Sequence, residues 1–281
     1  MSYHRCRLAF ISHIRYFFKM NWTIHSTVHY PMLALDETIR TLRENSVGPE
    51  IYFSGAVLDE LKLEEAERAA TALRDAGISS LTFHAPFHDL WPGARDEEIR
   101  RLAVRRLKQA ISLAPLFRPA GIVVHGGYFG WLFDFRSDEW FESAKRSFSE
   151  LAEAAEKADT RLFAENVFDD EPSHLLRLRD AVGSPRLGFC FDPGHAALFS
   201  KISLHRWAYA FGENTMQMHV HDNRGQRDDH LPVGEGTLNY RGALLAVLDA
   251  GAHPILTMEP HRKEHFSRSL SGLRSILSTI P

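Results

Sequence analysis

From Trp22 onward the chain alternates, eight times over, between a short apolar run rich in β-formers and a longer segment of helical periodicity. The short runs are "WTIHSTV" (22–28), "EIYF" (50–53), "SLTFH" (80–84), "GIVVH" (121–125), "RLFAE" (161–165), "RLGFCFD" (186–192), "TMQMHVH" (215–221) and "PILTME" (254–259). Two of the intervening helices are explicit. Over 96–114, Ile99, Leu102, Ala103, Leu107, Ala110, Ile111 and Ala114 recur at three- and four-residue spacing, with Asp96, Glu97 and Glu98 in the first turn, where the helix dipole favours acids. Over 137–158, Trp140, Phe141, Ala144, Phe148, Leu151, Ala152 and Ala155 fall on one side. The other helices fall near 35–46, 62–76, 172–182, 201–210, 239–250 and 264–278. Eight strands alternating with eight helices predict an α/β fold of the (β/α)8 TIM-barrel type, built as a single domain over 22–281. No Gly-rich phosphate loop follows the first strand, which argues against an open doubly wound sheet. No linker, short-period repeat or low-complexity tract interrupts the series.

The composition sets outer limits. The chain has 281 residues, 44% hydrophobic and 25% charged, with net charge −3. Such a chain carries no global basic field for nucleic acid or an anionic membrane. The basic run "RRLAVRRLK" (100–108) is expected to be the wet face of its helix. Two cysteines, Cys6 and Cys190, make no disulfide framework; Cys190, inside "LGFCFD", is expected to be a buried, reduced thiol, as suits the cytoplasm. Residues 1–21 are expected to form a dispensable, poorly ordered extension. His13 and Arg15 break their apolar run, no small-residue cleavage site follows, and no run is long enough to span a membrane.

In a barrel of this kind the active site lies at the C-terminal ends of the strands. The third strand ends in His84, the fourth in His125, and the fifth in Glu165 followed by Asn166. The sixth ends in Asp192, with His195 three residues on; the seventh carries His219 and His221; the eighth ends in Glu259. Six consecutive strands thus deliver metal-ligand residue types to one rim. Carboxylates such as Glu165 and Glu259 on apolar strands need a compensating charge once buried. No Arg or Lys stands at these strand ends. The neighbours are histidines, a donor set that suits a divalent metal. The stretch "MHVHDNRGQRDDHLPVGEG" (218–236) adds Asp228 and His230 to the supply.

These motifs, "TFHAPF", "VVHGGY", "AENVF", "FDPGH", "MHVHDNRGQRDDHLPVGEG" and "TMEP", together resemble the xylose-isomerase-like TIM barrel superfamily of endonuclease IV and of many sugar isomerases and epimerases. The resemblance runs from about Trp22 to the C-terminus. Its endonuclease IV branch implies up to three zinc ions: one on His84, His125 and Glu165; a second on Glu165, Asp192, His219 and Glu259; a third on His195, Asp228 and His230. The isomerase and epimerase branch implies one Mn²⁺, Mg²⁺ or Co²⁺ on Glu165, Asp192, His219 and Glu259. All nine ligand types are present. The full set favours a hydrolase acting on a small-molecule phosphoester, with Glu165 and Glu259 catalytic and a metal-activated water as nucleophile. A single-metal isomerase or epimerase of a sugar or sugar phosphate is the alternative, as is a phosphodiesterase of the endonuclease IV or cobamide-cleaving type. The sequence departs from endonuclease IV at Gly194, at Val220–His221–Asp222 and in "VFDDEPSHL", and offers no clear DNA-probing loop, so nucleic acid is not the expected partner.

Around the ligands, His88, Tyr128, Asn166, His221, Asn223 and Arg224 are the candidate substrate contacts, with Arg227 beside them. Tyr128, Phe129 and Trp131 suit either stacking on a ligand or a packed rim cluster. His261 and His265 are expected at the surface. "VGEG" (233–236) reads as a tight turn in which Gly234 and Gly236 permit unusual backbone angles.

Overall fold

Eight parallel strands pair in sequence order and close on themselves in this computed structural model, which describes residues 21–281. The expected extension, apart from Asn21, and Cys6 lie outside the described residues. The elements are β1 (Ile24–His29), α1 (Asp36–Glu44), β2 (Gly48–Tyr52), α2 (Gly55–Glu60), α3 (Leu63–Asp75), β3 (Thr82–His84), α4 (Glu97–Ser112), α5 (Ala114–Phe117), β4 (Ile122–His125), α6 (Ser137–Lys157), β5 (Leu162–Glu165), α7 (Ser173–Val182), β6 (Leu187–Phe191), α8 (Pro193–Phe199), α9 (Leu204–Phe211), β7 (Thr215–Val220), α10 (Tyr240–Asp249), β8 (Ile255–Met258) and α11 (His265–Leu277). This is the expected (β/α)8 barrel. The closing pair, β1 with β8, joins Ile24 to Leu256, His25 to Thr257 and Ser26 to Met258.

Alternation along the strands separates two environments. One parity, including Ile51, Phe83, Ile122, Val124, Leu162, Ala164, Phe189, Phe191, Met218, Val220, Leu256 and Met258, belongs to the large core shared with the helices. The other parity faces the lumen. There Val123, Phe163 and Cys190 form a small apolar cluster with Met216. The remaining lumen positions are polar and buried: His25, Glu50, Thr82, Gln217, His219 and Thr257. The free thiol of Cys190 is buried, and burial holds it well above its ordinary range. In β7 the register with β6 slips by one residue, so that Cys190 pairs with Gln217 and Met216 is the extra residue.

The helices follow their sequence patterns with one instructive exception. All seven apolar positions named on α6 are buried, and Trp140 donates from Nε1 to the Gly126 carbonyl at 3.0 Å. On α4 the buried stripe is rotated: it consists of Arg100, Ala103, Val104, Leu107, Ala110 and Ile111, whereas Ile99 and Leu102 are exposed. The run 100–108 is therefore not wholly a wet face. Arg100 is only 6% exposed and its guanidinium meets Glu97 at 2.8 Å, Glu150 at 2.9 Å and Ser147 Oγ at 3.2 Å. The charge is tolerated because acids from its own helix and from α6 surround it, while its stem packs as an apolar chain. Among the described residues no helix is long and apolar enough to cross a membrane.

Candidate metal centre

Each strand-end residue reaches the lumen because the strand stops there and the pleat turns its side chain inward. Asp192 does so in a divided way. It caps α8, where Pro193 takes the first turn and Oδ1 accepts the His195 backbone N–H at 2.8 Å. Its other oxygen, Oδ2, is left for the lumen. Asn166 pins this junction by donating from Nδ2 to the Asp192 carbonyl and accepting the Asp192 N–H, both at 2.8 Å.

Glu165 is at the middle of the site and 1% exposed. Its Oε2 lies 3.4 Å from His84 Nε2 and 3.2 Å from His125 Nε2. Its Oε1 lies 3.2 Å from His219 Nδ1 and 3.2 Å from His195 Nδ1. One carboxylate thus faces two groups of ligands. In the second group His219 Nδ1 is also 3.5 Å from Glu259 Oε1 and 3.7 Å from Asp192 Oδ2. A third group lies further out, where Asp228 Oδ2 is 3.4 Å from His195 Nε2 and 2.9 Å from His230 Nε2. The structure places all nine expected ligands around one basin.

Ring tautomers follow from the carbonyl partners, because a carbonyl can only accept. His84 donates Nδ1–H to the Ala85 carbonyl at 2.9 Å, His195 to that of Asn166 at 3.1 Å, and His230 to that of Glu259 at 3.2 Å. Each therefore turns Nε2 toward the site, the nitrogen that would offer its lone pair to a bound metal. That outer hydrogen bond is the support a metal-ligating imidazole requires.

Among the described residues no Lys or Arg stands in the ion pairs of these acids; every such partner is a histidine. Burial alone would push the Glu165 carboxyl up, but the neighbouring His219 and His125 charges hold it well below its ordinary range. Burial works against a charged His195 too, yet Asp192, Asp228 and Glu165 raise it well above normal. Asp228 is lowered against its own burial by His195 and His230. Even so, Glu165 Oε2, Glu259 Oε2 and His221 Nδ1 are buried without a hydrogen-bond partner. Buried acceptor atoms with nothing to accept from, amid imidazole lone pairs, are what a set of divalent-cation ligands looks like. The residues fit a metal.

Several expected substrate contacts sit elsewhere. Tyr128 is 4% exposed and packs on Phe133, Trp140 and His174, so it belongs to the rim's packing and not to its open surface. Asn223 is fully buried; it donates to the Gly194 carbonyl and accepts the Gly225 N–H, holding the loop. Asn166 is the junction pin described above. His221 is buried with Nε2 at 3.0 Å from Asp192 Oδ2 and Nδ1 at 3.7 Å from Asp228 Oδ1, so it stands among the ligands. His88, against the Phe87 ring, and Arg224 are exposed near the mouth. Gly234 has φ +90°, as expected, but Gly236 is required for a different reason: a Cβ there would lie 2.1 Å from Asp222 Oδ1. Asp222 organises the ligand loop by accepting the N–H groups of Asn223, Gly234 and Leu238. His261 and His265 do not form a helical pair, since α11 begins only at His265. His261 is exposed yet stacks on His230 at 3.6 Å between centroids, and burial beside the His230 charge lowers it to about 4.

One functional candidate is absent from the sequence-based set altogether. Glu50, on β2, is fully buried with Oε1 3.3 Å from His219 Nε2. Its only sequence signal is an acid opening an otherwise apolar strand.

A family model described as a xylose isomerase-like TIM barrel matches residues 48–276. The chain belongs to that family. Among curated relatives, an uncharacterized protein of Methanocaldococcus jannaschii is 30% identical over 74% of this chain and 73% of its own length. A probable endonuclease 4 of Mycobacterium leprae is 26% identical over 70% of this chain and 82% of its own. Among solved structures, a D-tagatose 3-epimerase-like protein superposes with TM-score 0.75 at 24% identity, covering 91% of this chain and 97% of that one. A Thermus thermophilus protein soaked with ZnCl2 does so with TM-score 0.75 at 24% identity, covering 92% and 99%. Members of this family are enzymes, epimerases and isomerases among them, and those two structural likenesses carry the fold alone.

Proposed function

We propose that the chain is a metal-dependent hydrolase of a small-molecule phosphoester, holding up to three zinc ions. The observation that carries this is Glu165, whose two carboxylate oxygens face separate groups of histidines, with a third group gathered at Asp228 beyond them. A single-metal enzyme has no use for His84, His125, Asp228 and His230 together. The inner ion would rest on His84, His125 and Glu165, the central one on Glu165, Asp192, His219 and Glu259, and the outer one on His195, Asp228 and His230. Zinc, when bound, lowers the pKa of a water toward neutrality and polarises a phosphoryl oxygen.

The chain's own residues do the rest. Glu165 and Glu259 each keep one buried oxygen free of hydrogen bonds, able to orient a water or take its proton. His125 and Asp228, the more exposed of the ligands, line the open side through which substrate enters. His88 and Arg224 at the mouth are the remaining candidates for meeting an anionic group. The buried free thiol suits a reducing cytoplasm.

The second reading is a single-metal sugar isomerase or epimerase using Mn²⁺, Mg²⁺ or Co²⁺. It is favoured by the fold likeness to D-psicose 3-epimerase, TM-score 0.72 at 15% identity, and by the pair Glu165 and Glu259 flanking the central group. Metal analysis of protein purified without chelator separates the two. The hydrolase reading expects more than one zinc per chain and loss of one on Asp228→Asn. One metal per chain, unmoved by Asp228→Asn, together with proton exchange from a sugar into heavy water, would overturn it. Either reading expects Glu165→Gln to lower kcat by at least about 100-fold.

A further inference from the structure

Of the ligand histidines, His84, His195 and His230 each give their second ring nitrogen to a backbone carbonyl. His219 differs. Its Nδ1 faces Glu165, Glu259 and Asp192, and its Nε2 points down the lumen to Glu50, 3.3 Å from Oε1 and 3.4 Å from Oε2. Glu50 is fully buried one layer below the metal basin, in register with Thr27 on β1 and Thr82 on β3. Its other partners are all neutral donors. Thr27 Oγ1 donates to Oε1 at 3.3 Å, Thr82 Oγ1 to Oε2 at 3.4 Å, and Gln217 Nε2 to Oε2.

The hydrogen bonds around Glu50 continue below it. His25 lies beneath, with Nδ1 3.1 Å from Thr82 Oγ1 and Nε2 2.9 Å from Ser80 Oγ, and with Nδ1–H toward Thr82 the Thr82 hydroxyl proton is left for Glu50. Gln217 Nε2 can only donate to Glu50, and the Thr27 and Thr82 hydroxyls each have a proton to give it, so a carboxylate there is well supplied with donors. An ionised carboxylate sits under His219 with no Lys or Arg near enough to pair with it among the described residues.

We propose that Glu50 is a positioning residue: it accepts the His219 Nε2–H, fixes that imidazole in the tautomer whose Nδ1 lone pair points at the central site, and makes the central site the tightest of the three. This rests on the reading of the basin as a metal centre. A carboxylate behind a ligand imidazole raises the basicity of the ligand nitrogen, and removal of such a partner typically costs about 10–100-fold in metal affinity. Gln217 gives the variant its direction. In Glu50→Gln the amide oxygen can satisfy Gln217, which turns the new NH2 toward His219 Nε2 and favours the opposite tautomer, with Nδ1–H aimed at the ligands.

The test is a zinc titration of the metal-stripped full chain against a chelator of known affinity, with circular dichroism as the check of folding. Glu50→Gln is expected to weaken the tightest zinc step about 10–100-fold and leave the weaker steps unchanged. A tightest step within twofold of wild type, or equal weakening of every step, overturns the proposal. Independently of any Glu50 variant, ¹⁵N NMR of the histidine-labelled wild type, with His219 assigned by its loss in His219→Asn, is expected to find Nε2 protonated and Nδ1 not. The reverse tautomer overturns it even where Glu50→Gln fails to fold. A wild type that binds no zinc in the same titration defeats the metal reading itself, and is distinguishable from a wild type that binds zinc while Glu50→Gln binds it equally well.

Discussion

At the scale of single residues, the nine candidate ligands meet around one basin because period-two alternation and the strand end together dictate where a side chain goes. The same rule, followed one step further, also settles His221. His219 and His221 are two apart, so both point into the lumen, and His221 stands beside Asp192 and Asp228 among the candidate ligands. Glu50 was hidden by its place at the foot of a strand whose depth the sequence does not reveal. For Tyr128 the sequence leaves both roles open, because aromatic character does not distinguish a stacking surface from packing, and the structure puts it in the packing. His25 supplies a prediction at this scale. It is buried between Thr82 and Ser80, and desolvation lowers it to about 4 despite the Glu50 charge. A base depressed in the folded state costs nothing at pH 7 and costs stability as pH falls from about 6.5 to 4, where the unfolded chain takes up the proton first. Between pH 7 and pH 5 this residue alone is expected to remove about 2 kcal/mol. Urea unfolding at the two pH values, compared with His25→Gln, checks it: the variant's stability should depend less on pH across that interval. An NMR titration in which His25 protonates above pH 6 would sink the idea.

At the scale of elements, strand positions and most helices were legible, since periodicity survives loss of detail. The short helices α2, α5 and α8 were not, because a single turn or two has no period to detect. The rotated face of α4 has a sharper cause. Pattern reading treats arginine as polar, but Arg100 buries its stem and finds Glu97 and Glu150 for its head. Arg100→Ala should destabilise by about 1–3 kcal/mol, because the two acids then face each other across the α4–α6 seam. Leu102→Gln, on the face the sequence pattern would have buried, should lie within about 0.5 kcal/mol of wild type. Chemical denaturation of the two variants side by side decides which face carries the packing. A Leu102→Gln cost as large as that of Arg100→Ala would restore the original phase.

At the scale of the whole molecule, the lumen gathers its acids at and just below one basin. Glu165, Asp192, Asp228 and Glu259, with Glu50 one layer beneath, meet six histidines there, and among the described residues no arginine or lysine pairs with them. Metal removal should therefore be felt globally. Zinc held at 100 times its dissociation constant adds about 2.7 kcal/mol for each site filled, roughly 5 °C or more in Tm for a domain of this size. A thermal melt before and after chelation, with zinc added back, measures this. An unchanged Tm on chelation of a protein known to have held zinc would mean that the basin does not couple metal to folding.

The seam between β1 and β8 has a consequence in time. It joins Ile24 to Leu256, nearly the full length of the described chain, and β8 also leads directly into Glu259. During synthesis the strand that closes the cylinder and the carboxylate that completes the basin leave the ribosome almost together, after the seven other strands. Until then β1 and β7 expose unpaired edges, the usual starting point for strand-to-strand aggregation. A nascent chain of this protein keeps an open sheet until β8 emerges, and it loses its edges and gains the last of its candidate ligands in the same step.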